Sequence, residues 1–164
     1  MISSQLFKKI KPLIFFVIFL PSLIWCYQFI NGSLGVNPIE KLMDNMGEMA
    51  LRLIVLTLFI SSLSEFKKFR FLIEVRRMIG LFAFFYVSCH FLIYIVLDHF
   101  FNMTFIIKDI IKRPFITFGF ISFIFLTPLA ITSPKIMLKK LGFKAWKKIH
   151  YLIYPASILS SVHF

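Results

Sequence analysis

The chain reads as an all-α, polytopic transmembrane helix bundle of about five spanning helices, and three observations predict it. Of its 164 residues 59% are hydrophobic, 18% aromatic and only 16% charged, which is more apolar surface than a soluble domain of that length buries. The apolar residues fall in runs near the ~20 residues that carry a helix across roughly 30 Å of hydrocarbon. The Lys and Arg residues sit in short clusters between those runs, not along one soluble face.

The runs are taken in order. The first extends from Pro12 to Ile30 behind Lys8, Lys9 and Lys11. It is longer than the ~7–15 apolar residues of a secretory signal and no small-residue cleavage site follows it, so it is kept as a helix. The second runs from Gly47 to Leu63, the third from Met78 to Leu97, the fourth from Phe115 to Ile131, and the fifth from Ile149 to Phe164. The fifth stops about a turn short of leaving the bilayer, so a closing sixth helix is expected to be missing at the C-terminus. With no composition shift along the chain, residues 1–164 read as a single membrane domain.

Orientation follows from the cations of the short flanks and loops, because positively charged loops stay in the cytoplasm. Lys8, Lys9 and Lys11, then Lys67, Lys68, Arg70, Arg76 and Arg77, then Lys135, Lys139, Lys140, Lys144, Lys147 and Lys148 place fourteen on one side. Lys41, Lys108, Lys112 and Arg113 place four on the other. The N-terminus is therefore expected in the cytoplasm, in a bacterial inner membrane. Helices three and five then run in the same direction, and Asn37-Pro38 and Arg113-Pro114 punctuate helix entries on the outer side.

The net charge of +12 is explained by this topology, so no nucleic acid is expected as a partner. Cys26 and Cys89 lie inside apolar runs without CxxC spacing and read as buried free thiols. The sequence holds no GxGxxG fingerprint, Walker loop, CxxCH attachment site or Ser-His-Asp arrangement. The chain thus lacks its own NAD(P)H-binding domain, and covalent c-type haem is excluded.

Ionisable groups inside a spanning helix cost roughly 2.5 to 3.5 kcal/mol each on insertion scales and call for a reason. They are Arg52 in the second run, His90 in the third, and His150 and His163 in the fifth; Asp98 and His99 lie just beyond the third, His99 as a solvated loop residue. His90 is about twelve residues into its run and His163 about fourteen into its own, so on parallel helices they reach a similar depth in the outer half. Two neutral imidazoles at matched depth are suited to be the axial ligands of one haem iron, in a gap lined by aromatic rings. The competing reading is helix packing, with each histidine bonded to a neighbour such as Ser88, Ser160 or Ser161.

His150 stands thirteen residues before His163, roughly 20 Å away along a helix and about 140° around it, with Pro155 between them as a kink site. It suits a second cofactor near the cytoplasmic surface. A matched partner for it would lie at the start of the third run, where Arg76 and Arg77 stand as topology anchors or as a clamp for haem propionates or a flavin phosphate. Arg52 reads as a snorkelling side chain or as a propionate or quinone partner.

Four strings are distinctive: LGVNPIEKLMDNMGEMALRL from Leu34 to Leu53, RRMIGLFAFFYVSCHFLIY from Arg76 to Tyr94, KRPFITFGFISFIFLTPLAITS from Lys112 to Ser133, and LGFKAWKKIHYLIYPASILSSVHF from Leu141 to Phe164. Together they resemble the YedZ/MsrQ family, the haem-binding membrane subunit of the protein-methionine-sulfoxide reductase system, within the ferric-reductase-like transmembrane superfamily. The resemblance covers the chain from about Leu34 onward. It implies haem b, one or two groups, on His90, His150 and His163, with Arg76 and Arg77 where the superfamily has a further histidine.

It also implies an electron path, with a cytoplasmic flavin reductase, by way of FMN, or the quinone pool as donor. The acceptor would be a periplasmic molybdopterin-containing subunit that reduces methionine sulfoxide. The chain would be the electron-transfer subunit and not the catalytic one. It departs from the family pattern at Ser61-Ser62-Leu63, where a Thr-Pro-Leu string is usual, and in lacking the sixth helix. Two other functions fit the residues less well: a membrane ferric reductase component, and a haem-free membrane assembly factor.

Overall fold

The computed structural model describes residues 4–66 and 72–164, and every element in them is helical. Of the cations that oriented the chain, Lys67, Lys68 and Arg70 lie outside the described residues. The helices are α1 (Ser4–Ile30), α2 (Pro38–Leu63), α3 (Ile73–Ile93), α4 (Met103–Lys112), α5 (Pro114–Thr132), α6 (Lys135–His150) and α7 (Ile153–His163). A π-helical turn, Tyr94–Asp98, continues α3. Four stretches are long and apolar enough to cross a membrane: Ile10–Ile30, Pro38–Leu63, Val75–Asp98 and Pro114–Thr132. The protein is a multi-pass membrane protein.

The centre of the bundle is the antiparallel pair α2 and α3. Leu42, Met46, Ala50 and Leu53 recur at three- and four-residue steps, which align on one helical face, and all are buried against Val75, Ile79, Phe82, Ala83 and Tyr86 of α3. Helix α1 lies at the edge and buries only Ile18 and Ser22 among its described side chains. Its Phe15 and Phe19 pack on Phe82 and Phe85, with ring centroids 5.0 and 5.9 Å apart. Pro21 removes one N–H from the α1 ladder, and nearby the carbonyl of Ile18 accepts the fully buried Tyr86 hydroxyl at 2.6 Å. The other faces of these helices carry Leu13, Phe16, Phe59 and Leu92 outward, as lipid-facing surfaces require. Cys26 is on such an exposed face and Cys89 is half-buried, so the expected pair of buried thiols is not found.

Helix α5 runs antiparallel to both α3 and α7. Phe84 stacks on Phe123, and Phe91 reaches Phe123 at 4.7 Å and Phe120 at 5.9 Å. Against α7, the buried Ser122 hydroxyl donates to the Ala156 carbonyl at 2.9 Å and lies 2.7 Å from the Ser160 hydroxyl. Small residues let the two backbones approach, the usual device of membrane helix pairs. Because α3 and α7 both oppose α5, they are parallel.

Two expected runs are redrawn. Helix α2 begins at Pro38, nine residues before Gly47, because Pro suits the first helical turn. The fifth run is divided: His150 closes α6, Tyr151 and Leu152 form a turn, and only then does α7 begin. The cause is Pro155, which has no N–H for the Tyr151 carbonyl; that carbonyl accepts from Tyr154 instead, at 3.2 Å. Helix α4, missed in the sequence, is a short element at the same end of the bundle as His90 and His163. The chain reaches it through Phe100 and Phe101, both at positive φ (46° and 60°), a conformation that costs a bulky residue energy. Arg113 is extended, as the residue before a proline must be, and turns the chain from α4 into α5.

Candidate functional site

The parallel course of α3 and α7 brings His90 and His163 together, with ring centroids 5.9 Å apart and planes at 81°. Each ring is tied to a neighbouring helix. The Nδ1–H of His90 donates to the Met43 carbonyl of α2 at 2.9 Å, and that of His163 donates to the Phe115 carbonyl of α5 at 2.7 Å. A carbonyl only accepts, so in the neutral imidazole the proton sits on Nδ1 and Nε2 keeps its lone pair. Both histidines are thus held in the tautomer that a metal ligand needs, with the outer nitrogen bound to a backbone acceptor.

Glycines underlie both rings. A Cβ at Gly47 would stand 2.9 Å from Nδ1 of His90, and one at Gly119 would stand 2.8 Å from Cγ, Nδ1 and Cε1 of His163. Phe115 lies nearly parallel to the His163 ring, at 6.2 Å and 16°. The pair opens into a cleft of about 700 Å³ between α2, α3 and α5, walled by Val87, Phe91, Ile116, Phe120 and Phe123. That volume lies within the ~300–1,000 Å³ of cofactor-sized sites.

The residues fit a porphyrin-held iron. Two imidazoles on opposite sides of one metal have ring centres roughly 6 Å apart, from bonds of about 2.0–2.1 Å and the ~1.1 Å from nitrogen to ring centre. Among the described residues no group of three or more His, Cys, Asp or Glu side chains gathers to hold a bare ion. Two ligands suit a metal that brings the rest of its coordination with it.

The mouth of the cleft is polar. Of the chain's seven acidic residues, Glu40, Asp44, Glu48, Asp98 and Asp109 line it, together with Lys41 and Arg113. Asp109 is buried, receives the Tyr94 hydroxyl at 3.1 Å and pairs with Arg113 Nε at 2.9 Å. His99 also lines the cleft. Its Nε2 is buried, 3.6 Å from Asp98 and 3.8 Å from Asp109, so it is not the solvated loop residue expected. Arg52 is exposed and pairs with Glu48 one turn away.

The other expected site residues are elsewhere. His150 stands at the opposite end of the bundle, where the Trp146 ring stacks on it at 3.9 Å and Thr132 Oγ1 lies 3.2 Å from its Nε2. Burial lowers its pKa below the ordinary histidine value, and the charge of Arg76 lowers it further. Arg76 and Arg77 lie near the start of α3, fourteen and thirteen residues before His90, or about 20 Å along the helix. Sequence reasoning missed Met43, Gly47, Phe115, Gly119 and Asp109. For the glycines a signal existed, since an isolated Gly inside a helix usually has a packing reason.

Comparison with known proteins gives this geometry a family. The chain is 42% identical over 155 residues to the protein-methionine-sulfoxide reductase heme-binding subunit MsrQ of Herminiimonas arsenicoxydans, covering 94% of this chain and 71% of that one. It is 41% identical over 157 residues to the MsrQ of Azospira oryzae, covering 96% and 67%. Residues 46–161 match the ferric reductase like transmembrane component. The chain belongs to this family, in its MsrQ branch. The magnetosome protein MamZ of Magnetospirillum gryphiswaldense is also similar, 38% identical over 161 residues, covering 94% of this chain and 25% of that protein. No solved structure matches. The ferric-reductase-like segment takes in Gly47, His90, Gly119 and His150 and ends two residues before His163.

Proposed function

We propose that the protein is a haem b electron-transfer subunit of a protein-methionine-sulfoxide reductase system. The observation that carries this reading is the His90–His163 pair, with ring centroids 5.9 Å apart, each Nδ1 taken by a carbonyl and each Nε2 keeping its lone pair. When bound, haem supplies a one-electron carrier whose potential is set by its ligands and surroundings. The chain's own residues orient the imidazoles; Phe91, Phe120 and Phe123 would wall the bound haem, and Lys41 and Arg113, which line the same cleft, would be the cations available to its carboxylates.

The fourteen-to-four cation asymmetry supports an N-terminus in the cytoplasm of a bacterial inner membrane, and on that reading the His90–His163 cleft would face the periplasm. Electrons would then leave from that cleft to a periplasmic molybdopterin-containing subunit acting on methionine sulfoxide. They would enter from a cytoplasmic flavin reductase or from quinone. His150, Arg76 and Arg77 stand at the entry end, where one imidazole and two guanidinium groups suit a second haem or the phosphate of FMN. The whole of residues 1–164 is read as one membrane domain.

The test is the absorption spectrum of the detergent-purified protein, oxidised and dithionite-reduced, with a pyridine haemochrome assay. Haem b in the wild type, lost in His90→Ala and in His163→Ala, is expected. A folded wild type without haem, or variants that keep it unchanged, would overturn the assignment; stoichiometry decides between one haem and two.

A further inference from the structure

The two ligand histidines are seated by the same device on two unrelated helices. His90 bonds the carbonyl of Met43 and its ring overlies Gly47; His163 bonds the carbonyl of Phe115 and its ring overlies Gly119. In both cases the glycine lies four residues after the acceptor. That spacing has a physical meaning. In an α-helix the carbonyl of residue i accepts the N–H of residue i+4, and a carbonyl oxygen has a second lone pair. The side chain at i+4 lies over the turn N-terminal to its own Cα and covers that carbonyl. Without it, an imidazole from a neighbouring helix can reach the second lone pair.

We propose that Gly47 and Gly119 are positioning residues: each exposes the carbonyl four residues earlier, so that His90 and His163 are fixed in tautomer and in ring plane, near perpendicular to each other. The inference rests on the haem reading and adds what sets its ligand geometry. Neither glycine has φ in the left-handed region, so backbone freedom is not the reason for it. The reason is space: a Cβ at 119 would be 2.8 Å from three ring atoms, and one at 47 would be 2.9 and 3.2 Å from two. Gly80 supplies the contrast on α3, since a Cβ there meets only Thr57, at 3.7 Å, an ordinary contact.

Two consequences follow for bound haem. Perpendicular axial imidazoles give low-spin ferric iron a strongly anisotropic paramagnetic resonance signal, where parallel ones give a rhombic signal. An imidazole whose Nδ1–H is bonded to a carbonyl is also a more basic ligand and favours the ferric state. Gly47→Ala and Gly119→Ala should therefore move the resonance signal away from the strongly anisotropic form and raise the midpoint potential, with Gly119→Ala the larger effect. Gly80→Ala should change neither.

The experiment compares the ferric resonance spectrum and the midpoint potential of the full chain in detergent for wild type and the three variants. It adds nitrogen-15 spectra of the histidine rings in haem-free protein. The Nδ1–H tautomer for His90 and His163 in the wild type, lost at the matching histidine in each of the two variants, supports the cradle whether or not haem is present. Folded Gly47→Ala and Gly119→Ala proteins with wild-type tautomer, signal and potential would overturn it. A Gly119→Ala chain that does not assemble leaves the decision to Gly47→Ala, where the collision is milder. A wild type that shows the tautomers but takes up no haem would sink the haem reading alone.

Discussion

His90 and His163 lie seventy-three positions apart in the chain, yet their rings are 5.9 Å apart and each donates its Nδ1–H to a backbone carbonyl of a different helix. The space that His163 fills is bounded by Gly119 and Phe115, and its hydrogen-bond acceptor belongs to the main chain and survives side-chain removal. His163→Gly should therefore lose the six-coordinate low-spin spectrum and regain it when free imidazole is added at millimolar concentration. A variant whose spectrum is unchanged before imidazole, or unresponsive to it, would argue that His163 is not a ligand.

Asp109 at the mouth of the cleft is a buried carboxylate with two donors, Tyr94 and Arg113. Asp109→Ala leaves the Tyr94 hydroxyl without its partner, and an unsatisfied buried group costs about 1–3 kcal/mol. Asp109→Asn keeps an oxygen acceptor and should lose less. Unfolding by denaturant in mild detergent measures both; equal losses would mean that the cluster is held by packing and not by these bonds.

Ser122 holds α7 to α5, and through α7 it holds His163. Ser122→Ala removes two hydrogen bonds while keeping the close approach, and should cost about 0.5–1.5 kcal/mol per bond with haem retained. Ser122→Leu adds bulk at a position 2% exposed; overpacking typically costs ~1–3 kcal/mol, and here it also pushes His163 out of register. Haem content should fall in the Leu variant alone. Equal haem content in both would separate α7 placement from ligation.

Much of this fold is written locally and the rest is not. The α1, α3 and α5 runs are legible because lipid selects unbroken apolar helices, and the pairing of His90 with His163 was suggested by counting residues along the third and fifth runs. Helix α4 escaped because Lys108, Asp109 and Lys112 make its ten residues read as loop, although it buries Ile106 and Asp109 and lines the cleft with Asp109 and Ile110. The division of the fifth run was signalled by Pro155, but a proline gives the site of a break and not which helix keeps His150. His99 looked solvated because its burial depends on the π-turn and on α4. The glycine seats depend on the register of α2 against α3 and of α5 against α7, a tertiary quantity that no single stretch of sequence contains.

At the far end of the bundle, His150 should make stability depend on pH. Its folded pKa lies below the ordinary value of about 6.5, first because it is half-buried and second because of the Arg76 charge. Above about pH 6.5 the ring is neutral folded and unfolded, and its contribution is fully present. As pH falls below that value the unfolded chain takes up the proton first, so stability declines until pH passes the lower folded pKa. Thermal unfolding in mild detergent should thus lose more as pH falls below about 6.5 in wild type than in His150→Gln, which cannot titrate. Carboxylates titrate alike in both proteins and cancel in the difference. Arg76→Gln removes only the second cause and should leave an intermediate dependence. The same pH slope in wild type and His150→Gln would assign the effect to another group and leave the Trp146 stack as the main role of the ring.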